Sequence, residues 1–403
     1  MARSLAKDSI PAGWKYDLLD KFATRCSGHT PSKSFPEYWN GGIKWISLAD
    51  SYRLDQGYVY ETDNEISEAG IANSSAELHP IETVVLSRDA GIGKSGVMAV
   101  PMAVSQHFIA WKCDNTEKLN SWFLYNWLQL NKAEFERQAV GSTIKTIGLP
   151  YFKKLKIAVP PYSEQKKIAQ ILTTWDKAIT TTEQLLANSQ QQKKALMQQL
   201  LTGKKRLLDK NGVRFSEEWE SKYLSDIAEV YQPKTISQSM LTETGYPVYG
   251  ANGIIGFYEE FNHPTEQIAV TCRGSTCGVV NWTQAQSWIT GNAMVINTDS
   301  FPAINKKFLF YVLDGSNLSY LISGSGQPQI TGSIKNHTVK IPTLEEQQKI
   351  AAILSTADQE ISALQQKLDA LKQEKKALMQ QLLTGKRRVQ LNEQNSKVLT
   401  YGN

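Results

Sequence analysis

A chain of 403 residues has room for two or three domains with sizeable cores, and a formal net charge of +5 permits a nucleic-acid partner without demanding one. Four cysteines (Cys26, Cys113, Cys272, Cys277) suggest no disulfide framework, and no apolar run approaches a membrane span or follows a basic start. Secretion and membrane insertion are disfavoured, and a reducing, cytoplasmic setting is expected.

In chain order, a short polar lead-in ends at Trp14, and residues 1–160 read as a first globular domain. It is loop-rich at Gly28, Thr30, Pro31 and Pro36, and then strand-like over residues 43–48, 81–87 and 105–111. A turn follows at residues 89–93, and a helix is predicted near residues 121–139, before Gly141. Residues 161–206 read as one long helix. Residues 207–341 form a second domain of the same kind, with strands predicted at 247–258, 267–272 and 293–297, a turn at 273–278 and a helix at 306–314. Residues 342–390 form a second long helix, and residues 391–403 a polar tail. Mixed strands and helices, occurring twice, define an α/β (mixed α+β) fold class.

The two long helices organise the chain. KKALMQQLLTGK at residues 193–204 returns letter for letter 182 residues later, and EQKKIAQIL at 164–172 returns at the same offset as EQQKIAAIL, with seven of nine letters shared. The chain is therefore a tandem duplication. Each copy follows proline, with Ser163 and Thr343 as candidate caps, and closes on Leu-Thr-Gly with basic residues beyond. A helix of roughly 40 residues spans ~60 Å. A narrow apolar stripe on a helix that long needs a partner helix, and each copy is the obvious partner of the other. The expected seam comprises Ile168, Ile171, Trp175, Leu185, Leu196 and Leu200 in the first copy. In the second it comprises Ile350, Ile353, Leu364, Leu368, Leu371, Leu378 and Leu382. The segment beginning at Trp14 is echoed at Trp219, 205 residues later, so the second globular segment is 23 residues shorter than the first. Matched helices thus carry divergent payloads.

Chemical motifs are sparse. Gly91-Ile-Gly-Lys-Ser95 lacks the first glycine of a phosphate-binding loop, because Arg88 stands there. Val159-Pro-Pro-Tyr162 resembles the base-holding loop of amino methyltransferases, but with valine in place of the amide or acid, and it reads as a proline stop before a helix. Cys272, Cys277 and His263 offer too few ligands at metal spacing. No catalytic residues are assigned. What remains is a set of loop residues able to reach phosphates or base edges. In the first domain these are Lys33, Lys44, Ser47, Asp50, Arg53, Arg88, Lys94, Ser142, Thr143 and Lys145. In the second they are Lys234, Tyr249, Asn252, Arg273, Ser275, Asn292, Gln327, Gln329 and Lys335.

Several features together resemble the specificity subunit of type I restriction-modification systems: the Gly28-His-Thr-Pro31 loop followed by Tyr38-Trp39 and Ile43-Lys-Trp-Ile46, the Pro247-Val-Tyr-Gly-Ala-Asn-Gly253 segment, the proline-Glu-Gln helix starts and the Leu-Leu-Thr-Gly-Lys helix ends. The resemblance implies two tandem target-recognition domains joined by two long helices in an antiparallel coiled coil with pseudo-twofold symmetry. It implies that each domain reads one half of a bipartite, asymmetric site on double-stranded DNA. It also implies docking of two methyltransferase subunits, attachment of restriction and translocase subunits, and S-adenosylmethionine bound by those partners and not by this chain. The alternatives are a scaffold without DNA readout and a chain with its own methyltransferase site near residues 159–162.

Overall fold

A computed structural model describes residues 10–113, 117–141, 145–251, 253–324 and 327–391. Contacts divide the chain into two units: the first runs to Thr181 and resumes at Leu368, and the second is Thr182–Lys367. This differs from the linear partition expected from the sequence, because each long helix gives one part of its length to each unit.

The first unit contains β1 (Lys15–Leu18), β2 (Thr24–Ser27), β3 (Trp39–Ile46), β4 (Tyr58–Val59), β5 (Glu65–Ile66), β6 (Val84–Ser87), β7 (Ser95–Met98), β8 (Ala103–Val104), β9 (Phe108–Lys112) and β10 (Lys156–Val159). They form a five-stranded sheet, β2-β9-β6-β7-β4, a three-stranded sheet, β5-β3-β8, and an antiparallel pair, β1-β10. Its short helices are α1 (Glu68–Ala72), α2 (Ser121–Leu130), α3 (Lys132–Gln138) and α4 (Leu149–Lys153), followed by the long α5 (Tyr162–Leu200). Strand β6 shows why the sheet is central. Alternate side chains point to opposite faces, so Val84 and Leu86 join Phe123 and Leu124 of α2 in one core, while Val85 joins Ile46 and Met98 in another.

The second unit contains β11 (Glu220–Tyr223), β12 (Glu229–Tyr231), β13 (Tyr246–Gly250), β14 (Gly253–Tyr258), β15 (Ile268–Thr271), β16 (Val280–Trp282), β17 (Trp288–Ile289), β18 (Ala293–Asn297) and β19 (Thr338–Ile341). Its helices are α6 (Leu224–Ile227), α7 (Lys306–Asp314) and the long α8 (Leu344–Leu382). The sheets repeat the first unit's plan: β12-β18-β15-β16, β14-β13-β17 and the pair β11-β19. Ile268 and Val270 face the core that holds Phe308 and Leu309 of α7, and Ala269 faces the opposite one.

The predicted helix near residues 121–139 is two helices. Asn131 ends the first, with its side-chain amide donating to the Trp127 carbonyl at 2.8 Å. Ser163 lies inside α5 and does not cap it, and the buried Thr343 hydroxyl has no hydrogen-bond partner among the described residues. Buried glutamines anchor the helix starts instead. Gln165 donates to Pro160 O (2.9 Å) and Lys118 O (3.0 Å) and accepts from Asn120 N (2.8 Å). Gln347 does the same with Pro342 O (2.9 Å), Ala303 O (3.1 Å) and Asn305 N (2.8 Å). Asn120 and Asn305 in turn cap α2 and α7.

Within each unit α5 and α8 run antiparallel, held by the same pairs with the helices exchanging roles. In the first unit Arg388 forks onto buried Glu164 (2.7 Å to each oxygen) and Lys375 pairs with Asp176. In the second, Arg206 forks onto buried Glu346 (2.8 Å to each oxygen) and Lys193 pairs with Asp358 at 2.6 Å. Of the expected seam, Ile168, Leu200, Ile350, Leu368 and Leu382 are buried, and Ile171, Trp175, Leu196, Leu364, Leu371 and Leu378 are half-buried. Leu185 (49 % exposed) and Ile353 (36 % exposed) face outward, and Leu186 and Leu354 take the buried positions. The first turns of each helix explain the shift at Ile353. They pack on a domain core through residues four apart, Ile168 with Leu172 and Ile350 with Leu354, so the stripe follows the helical period of 3.6 and not a strict heptad.

Candidate nucleic-acid interface

The main sheets of the two units end in the same loops. In the first unit, Arg88 N donates to His107 O (3.0 Å), and Ile147 N donates to Arg88 O (2.9 Å). Residues 140 and 146 close a two-residue bridge beside them. In the second, Cys272 N donates to Asn292 O (3.0 Å), Ile330 N donates to Cys272 O (3.0 Å), and residues 323 and 329 close the matching bridge. Ser87 and Thr271 each bond both ways across the turn that follows, which is closed by glycines in the left-handed region, Gly93 (φ +81°) and Gly278 (φ +93°). This backbone pattern makes Arg88 equivalent to Cys272 and Asp89 equivalent to Arg273.

In the second unit, predicted residues converge on this sheet end. Arg273, Ser275, Gln327 and Gln329 are exposed on two loops tied together by the Arg273–Gln329 bridge and by Gly274 N to Pro328 O (3.0 Å). Half-buried Asn292 lies beside them. Exposed Lys234 is on the adjoining segment, where Gln232 bonds to the Gly291 carbonyl. Lys335 is exposed within residues 332–336. Tyr249 is not at the surface: it is 7 % exposed in a core with Ile289 and Val295, and its hydroxyl accepts from Gln284 N at 3.1 Å.

In the first unit, most predicted residues stabilise the loops from within. Asp50 is fully buried and accepts from Ser47 N (2.9 Å), Ser47 Oγ (3.1 Å) and Asp63 N (2.8 Å), so Ser47 and Asp50 form a folding hub and not a reading surface. Arg53 bonds to Asp63 at 2.7 Å and lies over the Tyr52 ring. Arg88 Nε turns back to the Ile147 carbonyl (3.1 Å), Lys94 reaches the Ser51 carbonyl (2.9 Å), and Lys44 pairs with Glu61. Lys33 and Lys145 are exposed. Ser142, Thr143 and Asn252 lie outside the described residues.

The sequence reading missed the group that does occupy this sheet end. Asp89 accepts from the Thr146 hydroxyl through one oxygen and contacts His107 Nδ1 through the other, and Thr30 bonds to neighbouring Gln106. A usable signal was present: aligning the turns after β6 and β15 by their strands, and not by their arginines, sets Asp89 against Arg273. A close approach also shapes this region. A Cβ at Gly28 would lie 2.1 Å from Val104 O, so only glycine lets this segment pass β8.

Among the described residues, the metal-ligand types that cluster are Cys26, Glu77 and His79, with ligand atoms within 4.8 Å of one another. Lys112 pairs with Glu77 at 3.2 Å, so the cluster already holds a cation. His263 is taken by Tyr231 and Asn262, and Cys272 faces Gly291 O, so the imagined Cys272, Cys277 and His263 set does not converge on a metal. Among the described residues no helix is long and apolar enough to cross a membrane.

Two similar α/β units, each with exposed polar loops at one sheet end and each built on parts of the same two helices, define a duplicated recognition protein. Residues 11–188 and 216–373 match the family described as "Type I restriction modification DNA specificity domain", and the chain belongs to that family. Recognition of a DNA target in a type I restriction-modification system is this family's role, and the chain is such a specificity subunit. It is 29% identical over 368 residues to the type I restriction enzyme EcoprrI specificity subunit of Escherichia coli, covering 87% of this chain and 88% of that one. It is 25% identical over 431 residues to the MjaVIII specificity subunit of Methanocaldococcus jannaschii, covering 94% of each. The crystal structure of the S subunit from M. genitalium has the same fold, with a TM-score of 0.64 at 16% identity over 93% of this chain and 96% of that one.

Proposed function

We propose that each unit reads one half of a bipartite, asymmetric DNA site, and that α5 and α8 set the distance between the halves. The observation that carries this reading is the contrast between support and payload. The Gln165 and Gln347 anchors and the Arg388–Glu164 and Arg206–Glu346 forks repeat residue for residue, while the exposed loops of the two sheet ends differ in length and charge. A repeated support under dissimilar heads yields two different half-sites at a fixed separation, the geometry by which paired DNA-binding modules bind spaced half-sites. Affinity rests mainly on phosphate contacts and falls with salt.

The chain works as the non-catalytic member of a complex. Two methyltransferase subunits dock on it, S-adenosylmethionine is bound by those subunits and not by this chain, and restriction/translocase subunits attach to the assembly. Mapping methylated adenines genome-wide in cells carrying the cognate methyltransferase subunit, with and without this chain, tests the reading. A split, asymmetric motif that depends on the chain is expected. A chain-independent motif, or none despite expression, would overturn the proposal.

A further inference from the structure

We propose that three backbone-equivalent positions form the specificity-determining set of each unit: Asp89, His107 and Thr146 in the first, and Arg273, Asn292 and Gln329 in the second. This rests on the reading that each unit contacts its own half-site. The equivalence comes from main-chain bonds alone. His107 and Asn292 supply the carbonyls that accept from the residue before each first position, and Thr146 and Gln329 stand at matching places in the paired bridges, one residue before Ile147 and Ile330. The supporting main chain is the same in both units, and all three side chains differ.

Their chemistry differs in kind. Arg273 and Gln329 are exposed and Asn292 is half-buried, and among the described residues their side chains make no hydrogen bond or ion pair. An arginine fork matches the O6 and N7 acceptors of guanine, and a side-chain amide matches the N6 and N7 pattern of adenine. In the first unit the same three positions are bonded to one another. Asp89 is held by Thr146 and contacts Nδ1 of His107, so the ring presents its other edge, with Nε2 3.5 Å from the Gln106 amide. The second unit thus offers a multivalent purine reader, and the first a single oriented imidazole edge. A position that is anionic in one unit and cationic in the other cannot meet the same pattern of base-edge donors and acceptors.

The test maps the methylation motif for full-length variants expressed with the cognate methyltransferase subunit. Arg273→Ala and Gln329→Ala are expected to relax one or two base positions by about 10- to 100-fold, all within one half-site. His107→Ala is expected to relax the other half-site, and the spacer stays unchanged. Arg273→Lys keeps the charge and loses the fork, so it should relax the same position as Arg273→Ala. A wild-type motif left intact by Arg273→Ala and Gln329→Ala would overturn the assignment while leaving half-site reading in place, and a uniform fall in methylation with an unchanged motif in Arg273→Ala would reduce Arg273 to a phosphate contact. Relaxation of the same half-site by Arg273→Ala and His107→Ala would refute separate reading itself.

Discussion

Arg206→Ala should open the second unit far more than an ordinary surface substitution would. Glu346 is fully buried, and both its oxygens accept from the Arg206 guanidinium at 2.8 Å, with one further donor, Trp219 Nε1, at 3.2 Å. Removing the arginine leaves a buried carboxylate with one neutral hydrogen bond. Breaking a buried pair in this way costs about 3–5 kcal/mol. The Arg206 side chain retains 18% exposure, so water entry lowers the expected loss to about 2–4 kcal/mol. Because a two-unit chain need not unfold in one step, the assay is native-state hydrogen exchange resolved by segment. Amides of Leu224–Ile227 and the first turns of α8 should exchange roughly 30- to 1000-fold faster, with the first unit little changed. Arg388→Ala should have a smaller effect in the first unit, because that arginine is 44% exposed and its pair with Glu164 is screened by water. The double variant Arg206→Met, Glu346→Gln should recover most of the loss, since no charge is left buried. A change below about threefold in Arg206→Ala, or an equal change in both units, would refute the reasoning.

Two further predictions concern the cores and acid stability. Leu354→Ala should cost about 2–5 kcal/mol and Ile353→Ala well under ~1 kcal/mol, although a heptad reading ranks them the other way; segment-resolved exchange of α8 decides between them. Burial pushes His79 and His263 down to about 4, below the ordinary value of 6.5, so the unfolded chain binds more protons than the folded one between these values. Stability should therefore be fully present above about pH 6.5 and fall as pH drops toward about 4. Denaturation at stepped pH should show this slope reduced in His79→Gln, and an unchanged slope would contradict the assignment.

The duplication was legible because its two copies are nearly identical, and β18 and α7 fall where strand and helix patterns placed them, at residues 293–297 and 306–314. The seam was legible only in part, since a heptad rule ignores that the first turns of α5 and α8 serve as core helices of the two units. Reading residues were harder to find because the sequence does not distinguish an outward-facing polar side chain from one serving its own loop. Asp50, Lys94 and Arg88 are all polar residues in or beside loops, and all three are committed to internal partners. The Asp89, His107 and Thr146 set joins three separate segments, so no local pattern announces it. Only the strand-aligned turns after β6 and β15 carry a trace of it.

Half-site reading on a helical spacer is tested most directly by lengthening both helices and reading the recognised site. Seven residues inserted after Thr181 in α5 and after Lys367 in α8 fall at the border between the units and leave the contacts within each unit in place. Seven residues add ~10.5 Å of helix, about three base pairs at ~3.4 Å each. The expected methylation motif has the same two half-sites with a spacer about three base pairs longer. An unchanged spacer, or altered half-sites, would contradict the proposed division of labour between helices and units.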